Sequence, residues 1–199
     1  MIPNNTLASP GHISTFAYPV KTTNPIDLLV GWELGGVGIQ DVSEGLLVKL
    51  WTVEAIQHPD DTVDVVLSAP GTDSTVLFSG LGIVEVDLAF DQNMNIFVAY
   101  VQQGVSKYYW WDPIAGAMVH STLPDLCRSP RCCLDDHRVF NSDASDILLC
   151  YVNPTNQLCV RYQRDRYAIE NVLLPGVIES LVHVGMNSVG SVQFGLGYY

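Results

Sequence analysis

Apolar residues in this chain come in short runs, with turn residues recurring about every ten positions, and no window carries a sustained helical stripe. Ile26-Asp27-Leu28-Leu29-Val30-Gly31-Trp32 is one such run, ended by Gly35-Gly36. Leu46 to Val53 is a second, and Thr62 to Leu67 is a third, bounded by His58-Pro59-Asp60-Asp61 and Pro70-Gly71. β-branched and aromatic residues dominate these runs, which suits a pleated, half-buried surface. The pattern predicts an all-β protein.

A repeat follows. Ala89-Phe90-Asp91-Gln92-Asn93 leads to Ile96 to Tyr100, and Cys133-Leu134-Asp135-Asp136-His137 leads to Ile147 to Tyr151. His183 to Asn187 leads in turn to Val192 to Leu196. Each copy reads as strand, polar turn, strand, with starts about 44 and 50 residues apart. Val105 to Trp111 with Met118 to Leu123, and Leu158 to Tyr162 with Ala168 to Leu174, supply a second pair of strands to two copies. Four antiparallel strands per unit is the make-up of a propeller blade. The repeat units fall near residues 83–124, 131–175 and 180–199, the last with two strands only. Residues 13–20 or 26–32 could complete it from the other end of the chain.

Alternation gives a second argument for stacked sheets. In Tyr108-Tyr109-Trp110-Trp111 it sends Tyr108 and Trp110 to one face and Tyr109 and Trp111 to the other. Ile147 to Val152 is also apolar on both faces. A two-layer sandwich leaves one face of each strand wet. Propeller-like repeats of antiparallel strands are therefore expected, with a plain β-sandwich as the alternative. Residues 1–25, with Pro3, Pro10, Pro19 and Pro25, read as an extended arm before a single domain at 26–199.

Composition narrows the function. Hydrophobic residues make up 48% and charged residues 15%, which excludes a disordered chain and suggests a surface partly covered by partners. The net charge of -12 is the wrong sign for gripping phosphates, so specific nucleic-acid binding is not expected. Arg128, Arg131, Arg138, Arg161, Arg164 and Arg166 fall in one stretch that also holds Asp135, Asp136, Asp143, Asp146 and Asp165. Arginines in such company are expected to fork onto carboxylates. Met1-Ile2-Pro3-Asn4-Asn5 has neither the basic start nor the apolar core of a signal peptide, and no apolar run is long enough to span a membrane. The five cysteines are expected as reduced thiols in a protein made in the cytoplasm.

Candidate chemistry is thin. His120, Cys127, Cys132, Cys133 and His137 suggest zinc by residue type, but adjacent Cys132 and Cys133 point to opposite faces of a strand, and buried core thiols are the expectation. Asp135-Asp136-His137 with Asp146 resembles an acid/base cluster, yet it sits where Asp91-Gln92-Asn93 makes a polar turn in the preceding copy. Gly35-Gly36-Val37-Gly38 lacks the spacing and the helix of a phosphate-binding loop, and there is no G-x-S-x-G elbow. No catalytic residue, metal or cofactor is expected.

Gly82 to Asn93, Arg128-Ser129-Pro130-Arg131-Cys132-Cys133-Leu134-Asp135-Asp136 and Tyr162-Gln163-Arg164-Asp165-Arg166-Tyr167 together resemble a family of small virion structural proteins of tailed bacteriophages, especially short-tailed ones. The resemblance spans roughly residues 80–185. It implies a non-enzymatic component present in many copies around the tail tube, the nozzle or the head–tail junction, with other phage structural proteins as partners, a homo-oligomeric state and a place in the virion. Tyr108, Trp110, Trp111, Tyr198 and Tyr199 are the aromatic residues expected to anchor interfaces. The competing expectations are a carbohydrate-binding host-recognition module and a capsid cement or decoration protein.

Overall fold

The computed structural model describes residues 18–19, 28–29, 37–42, 47–69, 71–91, 95–136, 145–176, 178–186 and 192–197, with side chains from Trp51 onward except at 136, 145 and 186. The chain is all-β, and the described residues form four antiparallel sheets. The first holds β1 (Tyr18–Pro19), β2 (Leu28–Leu29), β3 (Val37–Val42), β4 (Leu47–Gln57), β5 (Thr62–Ser68) and β6 (Thr75–Leu81) in sequence order. The second runs β7 (Ile83–Phe90), β8 (Ile96–Gln102), β9 (Val105–Asp112), β10 (Ala117–Thr122). The third runs β11 (Arg128–Asp136), β12 (Ser145–Val152), β13 (Leu158–Tyr162), β14 (Asn171–Leu174), and β15 (Ser180–Met186) pairs with β16 (Val192–Gly197) in the fourth. Each sheet is a meander of sequence neighbours, the connection that short turns favour. A 3₁₀ turn, Gln163–Asp165, interrupts the strands between β13 and β14.

Two-sided strands explain how the sheets stack. In β8 the adjacent residues Phe97 and Val98 are both buried, in different cores. Val98, Tyr100 and Leu88 meet Val53, Val63 and Val65 between the first and second sheets. Phe97, Tyr108 and Trp110 meet Leu134, Leu149 and Tyr151 between the second and third. Cys150, Val152 and Val160 meet Leu181 and Val184 between the third and fourth. Three cores thus alternate with four sheets, and each fully buried side chain of this size contributes about 1.5–3 kcal/mol. The expected split of the aromatic run holds: Tyr109 packs on Phe78 with ring centroids 4.9 Å apart, on the side away from Tyr108 and Trp110.

The expected repeats occupy the second to fourth sheets. The first sheet carries a comparable meander, β3 to β6, in which β3 and β6 were not anticipated. The described parts of residues 13–20 and 26–32 do not complete the last sheet, contrary to expectation. Tyr18–Pro19 pairs with Leu28–Leu29, and Leu29 with Gly38, so both extend the first sheet beyond its near neighbour β3. The packing is face to face, as in a sandwich repeated layer on layer, and no closed propeller ring is formed among the described residues. Most of the expected arm at 1–25 lies outside them. No helix among them is long and apolar enough to cross a membrane.

Candidate functional site

The first strands of the second, third and fourth sheets, β7, β11 and β15, lie side by side along the stack. All three lose register with their partners near their starts: between Val84 and Asp87, between Arg128 and Arg131, and between Leu181 and His183. Such bulges bend a strand and re-aim its side chains. Glu85 (φ 54°) and Ser129 (φ 51°) occupy the first two in the left-handed region, where a residue with a Cβ is strained. Pro130, which cannot donate to the ladder, forces the break in β11.

The bulges border a cleft of about 580 Å³. Glu85, Arg128, Ser129, Asn156, Glu179 and Ser180 line it, and the turn before β9 closes it at Gly104. Asn156 (φ 62°) and Gly104 (φ 76°) add two more left-handed residues. Arg128 is fixed from the far side. Its Nε donates to the carbonyl of Glu179 at 2.7 Å, and its Nη2 to the carbonyl of Ile178 at 2.9 Å and to Asn156 Oδ1. Deeper in, Arg131 joins three strands, donating from Nε to Val182 O (3.1 Å) and from Nη1 to Glu85 Oε2 (3.4 Å). Asp87 is buried nearby and accepts from the backbone N–H of Cys132 on β11 at 2.8 Å. Burial pushes the Asp87 carboxyl up to about 6, against the pull of Arg131 and the bonds from Cys132 and Leu88.

The opposite end of the second and third sheets is closed. There Gln163 Nε2 donates to Asp91 Oδ2 (3.0 Å), the Arg164 N–H donates to Asp146 Oδ1 (2.8 Å), and Arg166 Nη2 meets Asp112 Oδ2 at 2.6 Å. Arg166 and Tyr167 take left-handed φ of 52° and 59°, and this drives the Tyr167 ring between the sheets. It packs on Phe97, Tyr108 and Trp110 with centroids 5.0–5.2 Å apart, and its buried hydroxyl finds no partner among the described residues.

Of the residues expected at interfaces, Tyr108 and Trp110 are 6% and 4% exposed and fill the core between the second and third sheets. Their burial within the chain's own core follows from stacking: a strand covered on both faces buries both sets of aromatics. Trp111 is half-buried, and Tyr198 and Tyr199 lie outside the described residues. Cys127, Cys132, Cys133, Cys150 and Cys159 are all buried free thiols, with Cys132 and Cys133 in different cores. Burial raises Cys127 to about 11 and Cys159 to about 12, so both stay protonated at neutral pH. His120 bonds the Tyr100 hydroxyl through Nδ1 at 2.9 Å, and His137 lies outside the described residues. Asp91 accepts from Asn95 N at 2.8 Å, as a turn residue does, and Asp146 serves the closed end. Arg131, Arg164 and Arg166 reach carboxylates as expected, whereas Arg128 and Arg161 go to neutral oxygens. For Arg128 a carboxylate partner was expected, and the described residues supply only neutral acceptors. The signal of this difference was Pro130, a proline inside a strand run, which marks a bulge.

Comparison with family models, with curated proteins and with solved structures finds no match.

Proposed function

We propose that the protein works by assembling with other polypeptides, as a non-enzymatic structural component of a tailed-phage virion. The observation that carries the assembly reading is the outer edge of the third sheet. Ile169, Val172, Leu173 and Leu174 lie on or beside β14 and are 40–54% exposed, on a strand whose outer side has no partner strand among the described residues. An edge strand that exposes several apolar side chains is a liability for a lone molecule and an asset for one that docks. Asp91, Asp112 and Asp146 are tied up in turns or clamps, and Cys127 and Cys159 are buried and protonated, which favours assembly over catalysis. The virion, and the tail or head–tail position within it, rest on the sequence resemblance alone.

The glycan-binding alternative is less favoured, because the aromatic platform it would use is largely internal: Tyr108 and Trp110 are core residues. Mass spectrometry of purified particles of the encoding phage tests the proposal. Many copies per mature particle are expected, and absence from it would end the virion reading.

A further inference from the structure

We propose that the cleft at the starts of β7, β11 and β15 is a receptor for a carboxylate side chain on an acidic segment of a partner polypeptide. The argument begins with donor arithmetic at Arg128. A guanidinium has five N–H groups. The Ile178 and Glu179 carbonyls and Asn156 Oδ1 take three of them, through Nε and both hydrogens of Nη2. The two on Nη1 have no acceptor among the described residues. All three acceptors are neutral, and no carboxylate among the described residues lies within ion-pair distance. Arg131, Arg164 and Arg166 each have one. Arg128 is thus held along one edge of its guanidinium, has no carboxylate partner among the described residues, and lines a cleft of about 580 Å³.

Two serines share the cleft, Ser129 and Ser180, and neither hydroxyl is hydrogen-bonded among the described residues. The wall is built at some conformational expense. Glu85, Ser129 and Asn156 are three of the eight left-handed residues other than glycine among the described residues, and all three line this one opening. Such strain, on the order of 1–3 kcal/mol per residue, persists where surrounding structure holds a clamp in place.

The neighbours select the anion. Glu85 and Glu179 also line the cleft, and the chain carries 21 acidic residues against 9 basic ones. A phosphate, with up to two charges and no peptide to bind alongside, meets more repulsion here than one carboxylate does. A planar carboxylate can accept both Nη1 hydrogens or one of them with a serine hydroxyl. The identification of the partner as a fellow assembly component rests on the proposed function. The binding of a carboxylate does not, and it can fail while virion incorporation holds.

The test uses the full chain labelled with ¹⁵N and three probes: N-acetyl-glutamate α-amide, N-acetyl-glutamine α-amide and inorganic phosphate. The glutamate probe is expected to give saturable shifts at Ser129, Asn156 and Gly104, with a dissociation constant on the order of 1–10 mM for so small a ligand. Arg128→Gln should weaken it about tenfold or more. Because Arg128 also ties down the segment before β15, Glu179→Gln provides a second arm: it removes a repelling charge, leaves the backbone carbonyl in place and should tighten binding about twofold to threefold. No saturable shift, equal shifts from the glutamine probe, tighter binding of phosphate, or weaker binding by Glu179→Gln would each overturn the proposal.

Discussion

The two ends of the junction between the second and third sheets use the same side chains in opposite ways. At the closed end Arg164 and Arg166 each meet a carboxylate, Asp146 and Asp112, and Tyr167 is wedged into the core behind them. At the open end Arg128 is tethered to neutral carbonyls and faces a cleft, and the strands beside it are bulged. Both ends contain left-handed residues with side chains. At the closed end that strain aims a ring inward, where apolar burial offsets it. At the open end none of the described residues fills the space it creates. A strained turn is therefore evidence of a site only where the groups it aims have no partner at home.

The comparison can be broken most forcefully at Tyr167. Tyr167→Ala should destabilise the chain by about 3–5 kcal/mol, as truncating a buried aromatic does, and denaturant unfolding measures it. Tyr167→Phe should do the reverse, stabilising by about 1 kcal/mol, because it removes a buried hydroxyl that has no partner among the described residues. A destabilised Phe variant would mean that the hydroxyl has a partner and that the closed end is not a plain wedge.

Asp87 gives the next largest effect and tests the floor of the open end. Its folded pKa of about 6 lies above the ordinary 3.8, so the folded chain holds this proton more tightly than the unfolded one. The contribution is most favourable below about pH 4, declines as pH rises to about 6 and is flat above, a span on the order of 3 kcal/mol. Asp87→Asn keeps an oxygen for the Cys132 N–H and should lose that slope, melting higher than the parent at pH 7.5 and no higher at pH 4. A variant less stable at pH 7.5 would show that attraction to Arg131 outweighs the burial. The smallest effect is expected at Arg166, which is about half exposed: Arg166→Gln should cost less than about 1 kcal/mol by urea unfolding.

Much of the fold was legible because stacking leaves a direct trace. Ile147 to Val152 and Tyr108 to Trp111 are apolar on both faces, and each proves to be covered on both. β3 and β6 were missed for local reasons: Gly38 and Gly80 interrupt them, and Gly35-Gly36 reads as a terminator. The pairings of Gln163 with Asp91 and of Arg166 with Asp112 span 72 and 54 residues, so spacing cannot announce them. Arg128 and Arg131 are the same residue three positions apart, one paired with Glu85 and one facing the cleft. Only the bulge between them, hinted at by Pro130, separates their roles.

Imaging the intact phage particle by electron cryo-microscopy tests the central claim most directly. The account predicts repeated copies of this chain, each with a neighbouring polypeptide seated on β14 or at the cleft. A mature particle without the chain, or one in which both surfaces face open solvent, would contradict it.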